Sequence, residues 1–134
     1  MASRITCGAA LAWIILLLGI IVPVCADFTG WHSEVLKSFG GGSSWYLSPS
    51  LAIDGAGKSH VSYYDYVTED LVYCWQGTQG WQYYTVDSAG TVGQDSSLAL
   101  DSNGYPHISY YDYTVKQLDY AWKDGAGWHM QVVD

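Results

Sequence analysis

The residues best equipped for chemistry come in pairs, 47 positions apart. His60 returns as His107, Asp54 as Asp101, Asp65 as Asp112 and Asp87 as Asp134. Two carboxylates roughly 5–10 Å apart could flank a glycosidic bond. Acids that return with every repeat, however, behave as turn residues do, because Asp and Asn side chains brace tight reversals. No G-x-S-x-G nucleophile elbow is present. Hydrolysis is the least favoured reading. His60 and His107 lack the close spacing of a local zinc site. Asp101-Ser102-Asn103-Gly104 is too short for a calcium loop and lacks its closing Glu. No cofactor is expected; calcium held by several acidic turns suits the composition, but no motif specifies it. The expected roles are turn capping for each Asp and a bond to a backbone carbonyl for each His.

Binding is the stronger reading. Tyr63-Tyr64-Asp65-Tyr66 and Tyr110-Tyr111-Asp112-Tyr113 place neighbouring tyrosines on opposite strand faces. At least one ring per repeat is therefore expected at an exposed surface. Aromatic faces beside Asp and His suit sugars, whose C–H faces stack while hydroxyls take hydrogen bonds, and they also suit protein partners. The candidate ligand-binding set is Tyr64, Asp65, Tyr66, Tyr111, Asp112 and Tyr113, with His60 and His107. Tyr73, Trp75 and Trp81, with their copies Tyr120, Trp122 and Trp128, are expected to fill space between packed sheets.

Charge narrows the partners. The 134 residues hold 13 Asp and Glu against 5 Lys and Arg, a net charge of -8. Arg4 is the one Arg, so the chain beyond it has four Lys and no basic patch for nucleic acid or anionic lipid. With aromatics at 16% and charged residues at 13%, the chain has ample material for an ordered core.

What must position these residues is a duplicated β unit. Residues 50–87 align on 97–134 without a gap, with 18 of 38 positions identical. A third, partial copy begins at Gly30-Trp31, and an extra strand is expected over 31–36. Alternation with period two marks strands through Leu51 and Ile53, Val61 and Tyr63, and Leu71, Tyr73 and Trp75. Asp119, between Leu118 and Tyr120, is expected to mark a solvent-facing side. Asp54-Gly55-Ala56-Gly57 and Asp101-Ser102-Asn103-Gly104 supply turn chemistry. The fold class is thus all-β: four-stranded antiparallel blades of the β-propeller type, at about 50–87 and 97–134. A small sandwich or barrel is the alternative. Two blades leave faces and edges unpaired, so the sheet is expected to be open, or completed by a homo-oligomer or another partner. The pattern stopping at Asp134 also fits a piece of a longer protein.

The Ser-Leu-Ala-Leu-Asp and His-Ile-Ser-Tyr-Tyr-Asp cores resemble the Trp- and Tyr-rich repeats of secreted propellers. Asp124 and Trp128 resemble part of the Asp box of sialidase-type propellers, although Ala126 replaces its central Gly. A sialidase would also need an arginine cluster that is missing here. Cys74-Trp75 followed by Gly80-Trp81 is similar to a turn of two-blade fucose lectins, which trimerise into six-bladed rings. In that family an Arg and a Glu hold the sugar. The nearby positions here carry Val72 and Asp119, so the resemblance implies shared architecture without fucose specificity.

Residues 1–26 have one positive charge, Arg4, before an apolar run from Leu11 to Val22 and small residues near Ala26. This reads as a secretory signal cut before Asp27, or as an uncleaved membrane helix over residues 8–26. Either places 27–134 outside the cytoplasm, secreted or membrane-anchored. Past this segment only Cys74 remains, aligned with Ala121, and a small buried role is expected for it. The expected function is non-enzymatic binding of a carbohydrate or protein. The alternative is an accessory subunit of a membrane assembly.

Overall fold

A computed structural model describes residues 12–15, 21–24, 33–36 and 48–134. The chain divides into two compact units, Met1–Val35 and Leu36–Asp134.

In the first unit, β1 (Ala12–Ile15) pairs antiparallel with β2 (Ile21–Val24). This differs from the anchoring helix expected over residues 8–26. Ile14, Ile15, Ile21, Val22 and Val24 are β-branched, and such side chains favour strands. Among the described residues no helix is long and apolar enough to cross a membrane. The cleavage point before Asp27 lies outside the described residues.

The second unit is all-β and holds two four-stranded antiparallel sheets. The first contains β3 (Ser50–Ile53), β4 (Ser59–Asp65), β5 (Asp70–Gly77) and β6 (Gly80–Asp87), in that spatial order. The second contains β7 (Val92–Leu100), β8 (Pro106–Asp112), β9 (Gln117–Asp124) and β10 (Gly127–Val132), again in chain order. Each is an open, blade-like meander, as the repeat predicts. Register repeats too: His60 faces Trp75 and His107 faces Trp122.

The turns form as their chemistry requires. Asp54 Oδ1 accepts the N–H groups of Ala56 and Lys58 at 2.9 and 2.8 Å, and Asp101 Oδ1 accepts those of Asn103 and Tyr105 at 2.8 Å. Asp65 and Asp112 brace the β4–β5 and β8–β9 turns through Val67 N–H and Thr114 N–H.

One blade lies against the other along a seam. Leu71 and Tyr73 from β5 and Val86 from β6 pack with Val92, Leu98, Ile108, Tyr110 and Ala121. Burial of this apolar surface holds the two sheets together. Strand β7 is longer than β3 and carries two register shifts, which carry its start to β5: Val92 N–H donates to Glu69 O at 2.9 Å. Gly93 has φ +102, and a Cβ there would sit 2.6 Å from Leu71 Cα, so only glycine allows this approach.

The other face of the first blade buries Val61, Tyr63, Val72 and Cys74, with Leu36 and Trp81 packed on them. Residues 33–36 are not a strand, and Trp31 lies outside the described residues. Leu36 nevertheless covers the first blade much as Val86 covers the second, and its carbonyl accepts the Tyr83 hydroxyl at 2.7 Å. Cys74 is fully buried, as expected, and burial pushes its thiol up to about 11.

Among the described residues, the second blade is covered on one side only. Leu71 is 0% exposed, whereas its copy Leu118 is 43% exposed. Asp119 corrects the sequence reading: it lies buried on the seam side, in register with Tyr110, while Leu118 takes the open side. A charged residue ordinarily avoids such a position, so its alternation with Leu118 misleads.

Candidate functional site

At one end of the seam the two blades separate enough to leave a cavity of about 450 Å³. That is within the usual range for a small-molecule site. The first blade supplies Tyr73 and Trp75 from β5, with rings stacked at 5.3 Å, and Tyr84 from β6. Trp128, at the start of β10, meets Tyr73 edge-on at 5.6 Å and stacks on Tyr84 at 5.8 Å. Trp75 and Trp128 are only half-buried, with part of each ring on the core and part on the cavity. The β7–β8 turn closes the opposite wall with Asn103, Tyr105 and Pro106, and Lys123 completes it.

Beneath these rings runs a chain of polar contacts. His60 Nδ1 lies 2.5 Å from the Tyr73 hydroxyl, and its Nε2 lies 3.5 Å from Asp54 Oδ2. Burial raises the Tyr73 pKa far above the ordinary phenol value, so the hydroxyl stays protonated and can donate to Nδ1. The other ring nitrogen, Nε2, faces Asp54. Asp54 is held below the usual carboxylate value, first by the Lys58 N–H and against some burial, then by Ala56 N–H and His60.

No family model matches this chain, and no curated protein matches it either. Among solved structures it is similar to a fucose lectin from Kordia zhangzhouensis, determined in complex with methyl-fucoside, at 20% identity and a TM-score of 0.40. The match covers 63% of this chain and 62% of the lectin chain.

The residues singled out by sequence fall into separate places. His60 lines the seam cavity, buried, with a Tyr hydroxyl rather than the expected carbonyl on its ring. His107 makes the same bond to Tyr120 at 2.5 Å, on the side of the second blade that nothing described covers. Tyr64, expected to include a surface ring, is 6% exposed; it faces the second blade and bonds Gln94. Its copy Tyr111 is half-buried, and Tyr113, at 57% exposed, meets Tyr111 edge-on. Tyr66 is half-buried at the tip of the β4–β5 turn. Asp65 and Asp112 are buried turn caps. Asp65 also borders a second hollow, of about 480 Å³, on the far face of the first blade with Tyr63, Asp70 and Tyr83.

Tyr64, Tyr66, Tyr111 and Tyr113 thus belong to the strand ends opposite the seam cavity. Trp75, Tyr84, Tyr105, Lys123 and Trp128 fall outside the expected ligand-binding residues, and the sequence pattern gives the two Trp a packing role alone. The available signal was divergence: Gln76 and Lys123 occupy one repeat position, as do Lys58 and Tyr105. Among the described residues, no three His, Cys, Asp or Glu side chains converge as a metal site requires.

Proposed function

We propose that this chain is an extracytoplasmic, non-enzymatic carbohydrate-binding module whose sugar enters the seam cavity. The observation that supports this reading is the wall of rings: Trp75, Tyr84, Tyr105 and Trp128 surround a cavity of about 450 Å³. Flat apolar rings match the C–H faces of a pyranose, and the Asn103 and Lys123 side chains provide hydrogen-bond donors at the rim. The blades bring both walls together before any ligand arrives, so little ordering cost falls on binding. An apolar leader at residues 11–22 supports placing the module outside the cytoplasm.

Titration with a panel of methyl glycosides, followed by intrinsic Trp fluorescence, tests this. Saturable change in the parent, lost in Trp75→Ala with the fold retained, is the expected result. An unresponsive parent across the panel would remove the reading.

A second reading rests on a specific observation. Leu118, Tyr120 and Trp122 copy the seam residues Leu71, Tyr73 and Trp75 on an open face, with Leu118 43% exposed. A partner, another copy or a different chain, could complete that face. Light scattering across a concentration series distinguishes a closed assembly from a monomer.

A further inference from the structure

We infer that the seam cavity selects an acidic sugar, one bearing a ring carboxylate, through Lys123. This rests on the carbohydrate reading above. The chain carries 13 acids against 5 bases, yet no Asp or Glu lines this cavity and Lys123 does. Lys123 forms no ion pair or side-chain hydrogen bond with any described residue.

The nearest acids in sequence and at the opposite wall are already occupied. Asp124 accepts the N–H groups of Ala126 and Gly127 at 2.7 and 3.2 Å and lies 3.0 Å from His129 Nε2. Asp101 accepts the N–H groups of Asn103 and Tyr105. Lys123 is half-buried beside Trp128, its register partner across β9 and β10. Partial desolvation strengthens its attraction for an anion relative to that in bulk water.

The geometry therefore offers two complementary features. A pyranose face can rest on the Trp and Tyr rings while a carboxylate on the same ring reaches the ammonium. The first repeat argues the same point by contrast, since Gln76 holds the equivalent position and is committed to Ser59 N–H at 3.3 Å. In the second blade Pro106 replaces Ser59 and has no N–H to give, so the side chain at 123 is left to the cavity.

The test uses the full chain and matched glycosides that differ only at C6: methyl glucuronide against methyl glucoside, and methyl galacturonide against methyl galactoside. At low salt the acidic member of at least one pair is expected to bind about three- to fivefold more tightly, as a part-exposed ion pair allows. That preference should shrink towards 1 M salt, where the screening length is about 3 Å. Lys123→Gln is expected to equalise the pair, because the acidic member loses affinity that the neutral member never had, whatever the change does to both alike.

Lys116→Gln removes the same charge at the far end of β9, about 23 Å away along the strand, and should leave the preference intact. Equal affinity for both members, or an unchanged ratio in Lys123→Gln, overturns the inference and leaves the sugar reading standing. If no glycoside binds, both fall. Competition by acetate at the uronide's own concentration range would show a bare carboxylate site and overturn the sugar selection.

Discussion

The Tyr73 hydroxyl stands 2.5 Å from His60 Nδ1, and Tyr120 stands in the same relation to His107 one repeat later. In the first blade both partners are buried, so removing the hydroxyl leaves a buried ring nitrogen without its protein partner. Tyr73→Phe is expected to cost about 1–3 kcal/mol. Tyr120→Phe should cost less, because His107 and Tyr120 are half-buried and water can replace the lost partner. Urea unfolding of the two variants gives the comparison; equal losses would contradict the difference in burial.

Gly93 sets the closeness of the seam. Alanine there needs a strained backbone at φ +102 and a Cβ 2.6 Å from Leu71 Cα. Gly93→Ala is expected to lose more than about 2 kcal/mol. Gly55→Ala is the control: nothing lies within 4 Å of its Cβ, and its stability should match the parent within about 0.5 kcal/mol.

Trp81 and Trp128 occupy the same repeat position but different surroundings. Each packs against a buried cluster, so either alanine variant is expected to lose about 3 kcal/mol. Only Trp128→Ala should also lose glycoside binding, since Trp81 is no part of the cavity wall. Melts indistinguishable from the parent would remove both rings from the packing.

Asp119 gives a pH signature. Burial raises its pKa above the ordinary 3.8, the neighbouring Asp112 and Asp87 add to this, and the Gln117 amide, donating at 3.0 Å, opposes it. A carboxyl with a raised folded-state pKa weakens the fold at neutral pH, and the penalty disappears as pH falls below the unfolded value. Asp119→Asn keeps an acceptor for Gln117 and is expected to raise Tm at pH 7 by a few degrees at most. Below about pH 4 the gain should vanish. Asp54, Asp101 and Asp124 work in the opposite direction: their depressed values favour the fold above 3.8 and cease to as pH falls further. A gain that persisted at pH 3 would refute the electrostatic account.

The blades were legible because alternation and turn chemistry are local. Leu71, Tyr73 and Trp75 name a face, and Asp54 and Asp101 announce their reversals through N–H groups a few residues away. What the sequence does not state is which face acquires a neighbour. The motif His-Val-Ser-Tyr-Tyr-Asp is buried almost throughout β4, while its copy in β8 is buried at alternate residues. Tyr64 and Tyr111 therefore differ although their flanking residues match. Asp119 shows the same limit, since polarity at one position was outweighed by packing on both sides of it. The cavity was hidden for a related reason: its walls come from different repeats, as Trp75 and Trp128 do.

Gly93 lies against Leu71, four residues along β5 from Trp75 at the cavity wall. The seam is thus clamped about 13 Å from the cavity, too near for the two walls to swing apart freely. Among the described residues, such a site has no gate to open. Ligand exchange would proceed by simple encounter and departure, with residence time governed by contacts inside the cavity and not by a conformational step.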